Sequence, residues 1–400
     1  MLRRPALAPY LGPAFLVSVG YMDPGNWATD IAGGARFGYS LLWVLLLANL
    51  MALLLQYLSA KLGLSTGLTY PQVCRQIFPR PLALTLWLTA EAAAIATDLA
   101  EFLGAALGFY LLLRIPMLPA ALVTALAVLG ILALYRFGFR TVEFTILALV
   151  GVIGLAYVFE VYLVKPDWGA VAQGVFIPRL TSEGLVIAMG MLGATVMPHN
   201  LYLHSGVILT RRHSNPTLNV HISRAALVDS MLALNLAWLV NSAMVVMAAG
   251  TFFLHGVEVE SIESAHETLA PLLGEAAAVV FAIALLASGL SSSTTATLAG
   301  QIIIEGFLNV RFGLLLRRLI TVIPAIVVLA LGLDAYNILI ASQVALSVQL
   351  PFAMLPLVWL TARRDVMGEQ VNGWLTTLLA SIAATVVIGL NVLLLARLAE

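Results

Sequence analysis

The chain has 400 residues, 61% of them hydrophobic and 10% charged, with zero formal net charge and a mean hydropathy of +1.00. Soluble domains carry about 25% charged residues, so the composition points to a membrane protein, and a neutral chain without charge runs argues against nucleic acid as a partner. The single cysteine, Cys74, excludes an intrachain disulfide framework and any cysteine-rich zinc site.

Apolar stretches of about 20 residues or more, the length a bilayer needs, recur eleven times. They predict an all-α membrane protein with a single transmembrane domain over residues 1–400. The first span covers about 7–37 and is interrupted at 22–26; the basic pair Arg3-Arg4 leads straight into it, with no cleavable signal evident. The next spans cover about 41–62, 83–113, 117–135 and 141–164. The sixth covers about 182–211 and is interrupted near 195–199. The last five cover about 223–254, 270–296, 315–333, 336–361 and 373–397. Residues 297–313, with Glu305, Asn309 and Arg311, read as a short amphipathic helix on the cytoplasmic side, and His255 to Glu267 reads as an external loop.

Basic residues test this count. With the N-terminus inside, fifteen of the 20 Lys and Arg fall on cytoplasmic segments, among them Lys61, Arg211, Arg317 and Arg318. This predicts a cytoplasmic N-terminus and an external C-terminus under the positive-inside rule. Five spans are an odd number, so a second set of five enters from the opposite side. The expected architecture is a 5+5 inverted repeat, about 7–164 and about 182–361, with an extra span at about 373–397.

The two interruptions carry the chemistry. Tyr21-Met22-Asp23-Pro24-Gly25-Asn26 places a carboxylate, a helix breaker, a glycine and an amide inside an apolar run. Thr195-Val196-Met197-Pro198-His199-Asn200 does the same in the sixth span, with Pro and Asn in register 174 residues later. One such break reads equally well as a proline kink. Two in matching positions of two halves point to a transporter binding site. Asp23 offers an anionic oxygen, Asn26 a neutral one and Met197 a thioether. Breaks free backbone carbonyls, for instance at Gly20 and Ala194, and Gln343 is a polar residue in an apolar span. Oxygen alone suits magnesium or calcium; the sulfur shifts the set towards manganese, iron, cobalt, zinc or cadmium. The bland reading of Met197 is a plastic core side chain.

Asp23-Pro24-Gly25-Asn26 with Met197-Pro198-His199-Asn200 resembles the paired motif of the Nramp family of divalent metal transporters. The words 193–200, Gly-Ala-Thr-Val-Met-Pro-His-Asn, and 96–104, Ala-Thr-Asp-Leu-Ala-Glu-Phe-Leu-Gly, are similar to that family too. The likeness covers essentially the whole chain, and its nearest subtype is a bacterial proton-coupled manganese transporter. It implies a leucine-transporter-type fold and import of Mn2+, Fe2+ and similar ions with protons by alternating access. It also implies a location in the bacterial cytoplasmic (inner) membrane. The implied metal ligands are Asp23, Asn26, Met197, Gln343 and the carbonyls of Gly20 and Ala194. No prosthetic group is implied. One chain holds a whole site, so a monomer suffices. The intact Asp–Asn–Met set argues against a magnesium-permeable relative.

Glu91, Asp98 and Glu101 lie on one stripe of the third span, with Arg317 and Arg318 as available counter-charges. By themselves they read as a structural salt-bridge set or as a proton route. The resemblance favours the route, with Asp98, Glu101 and Arg318 as members, Asp23 as proton acceptor and His199 tuning the coupling. His204 is a weaker candidate. The competing function is a sodium-coupled amino-acid permease of the same fold, which Asp23 fits poorly because it would repel a substrate carboxylate. An enzyme is not expected: no nucleophile–base pair or zinc-type histidine spacing occurs.

Overall fold

The computed structural model describes residues 11–311 and 313–398, all helix and connection among the described residues. Arg3, Arg4 and the expected start of the first span near Leu7 lie outside them. The chain forms α1 (Pro13–Ser18), α2 (Pro24–Phe37), α3 (Leu42–Thr66), α4 (Tyr70–Ile77), α5 (Arg80–Leu113), α6 (Met117–Ala133), α7 (Phe139–Val164) and α8 (Trp168–Phe176). The second half forms α9 (Gly184–Val196), α10 (Pro198–Val207), α11 (Pro216–Ala248), α12 (Ile262–Leu273), α13 (Glu275–Leu308), α14 (Leu314–Ala330), α15 (Ala335–Thr361), α16 (Arg364–Met367) and α17 (Trp374–Leu398).

Eight helical stretches among the described residues are long and apolar enough to cross a bilayer. The expected count of eleven is larger for a physical reason. The first span is split into short pieces, and α6 and α14 have 17 residues each. Three further expectations need correction. Residues 297–308 are not a separate amphipathic helix but continue α13, whose Gly300 lies against the Arg317 guanidinium. The stretch expected as a loop to Glu267 instead enters α12, capped by the reciprocal Ser261 and Ser264 hydrogen bonds. Lys61, Arg317 and Arg318, assigned to cytoplasmic segments, are buried inside helices, so they do not report on the membrane surface.

Burial separates centre from rim. In the Gly184–Arg211 stretch 94% of the apolar window is buried, against 33% for Arg140–Val164 and Trp374–Ala396. The broken pairs α1–α2 and α9–α10 therefore form the axis of the molecule. They are packed among α3, α5, α11, α13 and α15, while α6, α7, α14 and α17 present Leu126, Leu155, Ile323 and Leu393 outward. Such an apolar exterior suits lipid.

Candidate metal site at the two helix breaks

The first break is built by Asp23. Helix α1 tightens into a 3-10 turn at Val19–Met22, and Asp23 leaves it in an extended conformation (φ −72°, ψ 165°). Pro24 at the first position of α2 lacks the N–H that would be unpaired there anyway. Asp23 Oδ1 accepts the backbone N–H of Asn26 at 2.8 Å, so the carboxylate caps α2. The second break turns on Met197, which has φ 42° and ψ 94° between α9 and α10. A positive φ is costly outside glycine, and such strain persists where the surroundings enforce it.

Asn26 joins the breaks. Its Nδ2 donates to Asp23 Oδ1 at 2.6 Å, to Ala194 O at 3.2 Å and to Gly20 O at 3.4 Å. One amide nitrogen thus sits among a carboxylate and two freed carbonyls. Met197 Sδ accepts from Asn200 Nδ2 at 3.3 Å and lies against Gly20, where an added Cβ would come within 3.1 Å of the sulfur. Gln343 of α15 occupies the space that a side chain at position 25 would need. All six expected ligand positions therefore converge. Asp23, Asn26, Met197, Ala194 and Gln343 are fully buried.

The acceptors outnumber the donors. Asp23 Oδ2, Gln343 Oε1 and Asn200 Oδ1 have no hydrogen-bond partner. Buried acceptors are nearly always satisfied, so an orphan set beside a carboxylate fits a cation. No three His, Cys, Asp or Glu come together among the described residues. The donor set here is of a different kind: one carboxylate, neutral oxygens and a thioether.

Residues 14–397 match the model of the natural resistance-associated macrophage protein-like family, Nramp. The chain belongs to the Nramp family. It is 47% identical to the divalent metal cation transporter MntH of Caldanaerobacter subterraneus subsp. tengcongensis, over 96% of this chain and 92% of that one. It superimposes on a crystal structure of an Eremococcus coleocola manganese transporter, solved with an aromatic bis-isothiourea substituted compound. The TM-score is 0.86 at 36% identity, covering 96% of this chain and 85% of that one. Mhp1, a nucleobase-cation-symport-1 family transporter, shares the fold at TM-score 0.65 and 13% identity, covering 96% and 91% of the two chains. This is a multi-pass membrane protein whose named relatives are transporters rather than enzymes.

The charged stripe of this Nramp chain lies beside the site. Arg317 pairs with Glu91, and Arg318 Nη1 meets Asp98 Oδ1 at 3.3 Å. Arg318 Nη2 also donates to Ser293 Oγ at 2.9 Å, and its guanidinium lies 5.3 Å from the Phe102 ring centroid. Glu101 is fully buried and within electrostatic range of Asp23, Asp98 and Arg318. His199 Nδ1 contacts Thr97 Oγ1 at 3.2 Å, which ties α10 to the stripe one residue from Asp98.

Several contributors were not singled out from sequence. Asn241 of α11 donates to Tyr21 O at 2.7 Å and to Asn26 Oδ1 at 3.2 Å. Beneath the break, Tyr21 OH accepts from Gln56 Nε2 at 2.6 Å, and Gln56 Oε1 contacts His204 Nδ1 at 2.9 Å. Asp229 of α11 holds the start of α1, accepting from Gly12 N at 3.1 Å and Ala14 N at 2.8 Å, beside the Arg211–Glu143 pair at 2.8 Å. The available signal was the same for Gln56, Asn241 and Asp229: a polar residue inside an apolar span.

Proposed function

We propose that this protein is a secondary transporter that imports divalent transition metal ions, manganese and iron foremost, together with protons. The observation that carries the reading is the convergence of Asp23, Asn26, Met197, Gln343 and the Gly20 and Ala194 carbonyls at two facing helix breaks, with Asp23 Oδ2 and Gln343 Oε1 lacking donors. Relatives at 47% and 36% identity named for divalent metal and manganese transport support the cargo class over an amino acid.

In this reading the cation displaces the Asn26 amide nitrogen from its three oxygens, and Asn26 rotates to offer its carbonyl oxygen instead. Met197 adds a soft donor that a hard ion gains little from. A cation beside Asp23 favours the ionised carboxylate, so a proton held there leaves as metal arrives. Glu101, Asp98 with Arg318, and Glu91 with Arg317 then lead it away along α5, with His199 at the branch.

Alternating access follows from the architecture assigned to the chain, a 5+5 inverted repeat with α17 outside it. The membrane is the bacterial cytoplasmic membrane, with the N-terminus inside and the C-terminus outside, and a monomer suffices. The test is metal entry into proteoliposomes carrying a lumenal metal dye, manganese against magnesium, at two external pH values. Manganese entry that rises at acidic external pH while magnesium stays out is the expected result. Equal entry of magnesium, or none of manganese, overturns it.

A further inference from the structure

Two buried carboxylates belong neither to the metal site nor to the α5 stripe. Asp30 lies on α2 seven residues beyond Asp23, hence on the same stripe and about 10 Å further along the axis. It is four residues past Asn26, and its side chain makes no hydrogen bond to any metal-site residue. Glu160 lies near the end of α7, three residues past Tyr157 and on the same face. The Tyr157 ring meets Trp27 edge-on, with centroids 5.1 Å apart. That ring contact brings Tyr157 of α7 against α2, and Tyr157 is within electrostatic range of both acids.

Asp30 and Glu160 are 0% exposed and Tyr157 is 1%. All four carboxylate oxygens and the Tyr157 hydroxyl lack a hydrogen-bond partner. Two bare carboxylate charges in such a place are strongly disfavoured, so they must be neutralised by a base, a metal or protons. The ion pairs among the described residues involve neither acid. Helix α9 and the part of α11 from Ala233 onward carry no ionisable side chain. Helix α12 brings half-buried His266, 6.3 Å from Phe281, whose ring in turn meets Trp27 at 5.1 Å, together with Glu263 and Glu267, and α13, packed on α7, begins with Glu275. From α15 comes Tyr336, whose hydroxyl donates to Ala28 O at 3.5 Å and which is in range of Arg36. Along α2 itself the facing group is Asp23, which Glu101 of α5 also faces. The two acids lie beside the aromatic rings of Tyr157 and Trp27, whereas Asp23 lies beside freed carbonyls and a thioether.

We infer that Asp30, Tyr157 and Glu160 form a proton-holding station on the α2 side of the metal site, away from α1. The station supplies protons to the coupled transport. Loading makes one carboxyl O–H bond in the cluster with a proton from the external solution, and release breaks that bond. This extension rests on the proton-coupled reading above.

The experiment pairs two readouts on reconstituted Glu160→Gln, Asp30→Asn and Tyr157→Phe proteins. Infrared difference spectra between acidic and alkaline external buffer report protonated carboxyls directly and need no transport. Loss of a carboxyl carbonyl band in Glu160→Gln and in Asp30→Asn supports the station; spectra that match wild type overturn it. Manganese entry against external pH is the second readout. The expected result is a half-maximal pH moved by at least one unit in Glu160→Gln, a smaller move in Tyr157→Phe, and manganese affinity within twofold of wild type. Superimposable profiles in all three variants, with wild type stimulated by acid, overturn the supply role. Wild-type metal entry that ignores pH would instead sink the coupled reading and the supply role with it, while the infrared bands still decide whether the cluster holds protons.

Discussion

Asn241 Nδ2 donates to Asn26 Oδ1 at 3.2 Å, so the oxygen that Asn26 would offer a metal is turned away from Asp23 and held by α11. Metal entry then requires two amides to reorient together, with Asn241 Oδ1, unpartnered here, free to accept from a rotated Asn26. Replacing Asn241 by Ala removes the clamp on the resting orientation and also the partner of the rotated one. Because a hydrogen bond contributes about 1 kcal/mol net, the two losses largely offset in affinity. Manganese affinity should therefore change less than about fivefold while the rate of binding rises. Stopped-flow and calorimetry on the detergent-purified variant separate the two; a large affinity loss with no gain in rate would show that Asn241 only supports the fold.

Met197 is the member of the set that distinguishes ions. Met197→Ala removes the sulfur but keeps a Cβ at φ 42°, so the backbone strain is unchanged and the thioether alone is tested. Manganese affinity should fall by about tenfold, which is about 1.4 kcal/mol. Magnesium entry should become measurable in the same vesicles. If magnesium stays excluded, selectivity lies in the oxygens or in the shape of the site.

Two glycines near Gln343 give opposite outcomes. A Cβ at Gly25 meets the flexible end of the Gln343 side chain, which can swing away. Gly25→Ala should fold normally and lose as much manganese affinity as Gln343→Ala, with the double variant no worse than either single one. A Cβ at Gly193 meets backbone, Gln343 O and Ser347 N, which cannot yield without separating α9 from α15. Gly193→Ala should lower thermal stability by several degrees, a result read by a thermal shift measurement on both proteins side by side.

Asp98 meets Arg318 with no exposed surface on the carboxylate. Asp98→Asn leaves Arg318 without its counter-charge, and breaking such a buried pair costs about 3–5 kcal/mol. Arg318→Gln in the same chain removes the stranded charge and should restore stability but not proton movement. Metal-stimulated proton entry, followed with a lumenal pH dye, should drop several-fold in both. Wild-type proton entry in the double variant would remove the α5 stripe from the route.

The breaks were legible because Pro24 and Pro198, with Asp23 and Asn26, stand out against Leu and Val. That contrast located the two breaks that meet in the structure, whereas Gln343 was visible only as a polar residue in the tenth span. Helix ends inside the polar connections were less legible. Helix α4 is nucleated by the Thr69–Gln72 capping box and α8 by the Asp167 side chain, signals of a few residues that a search for long apolar runs passes over. The run after Ala296 was misread because Glu305, Asn309 and Arg311 look like surface residues, whereas no proline interrupts α13 there. Asn241, Gln56, Asp30 and Glu160 were visible as polar letters in apolar spans. Nothing in one-dimensional spacing told which neighbour each would face, because those partners come from helices far away in the chain.

Helix α1 has only six residues, and its first N–H groups bond to a side chain of another helix, Asp229. So short a helix is not stable by itself. Its place under the metal site is set by the Asp229 carboxylate together with the burial of Leu16 and Val17 among α7, α10 and α11. A little over one helical turn, joined to the 3-10 segment that ends at Met22, thus depends on α11 for its placement, so Asp229→Asn should loosen this end of the chain while the long helices stay intact.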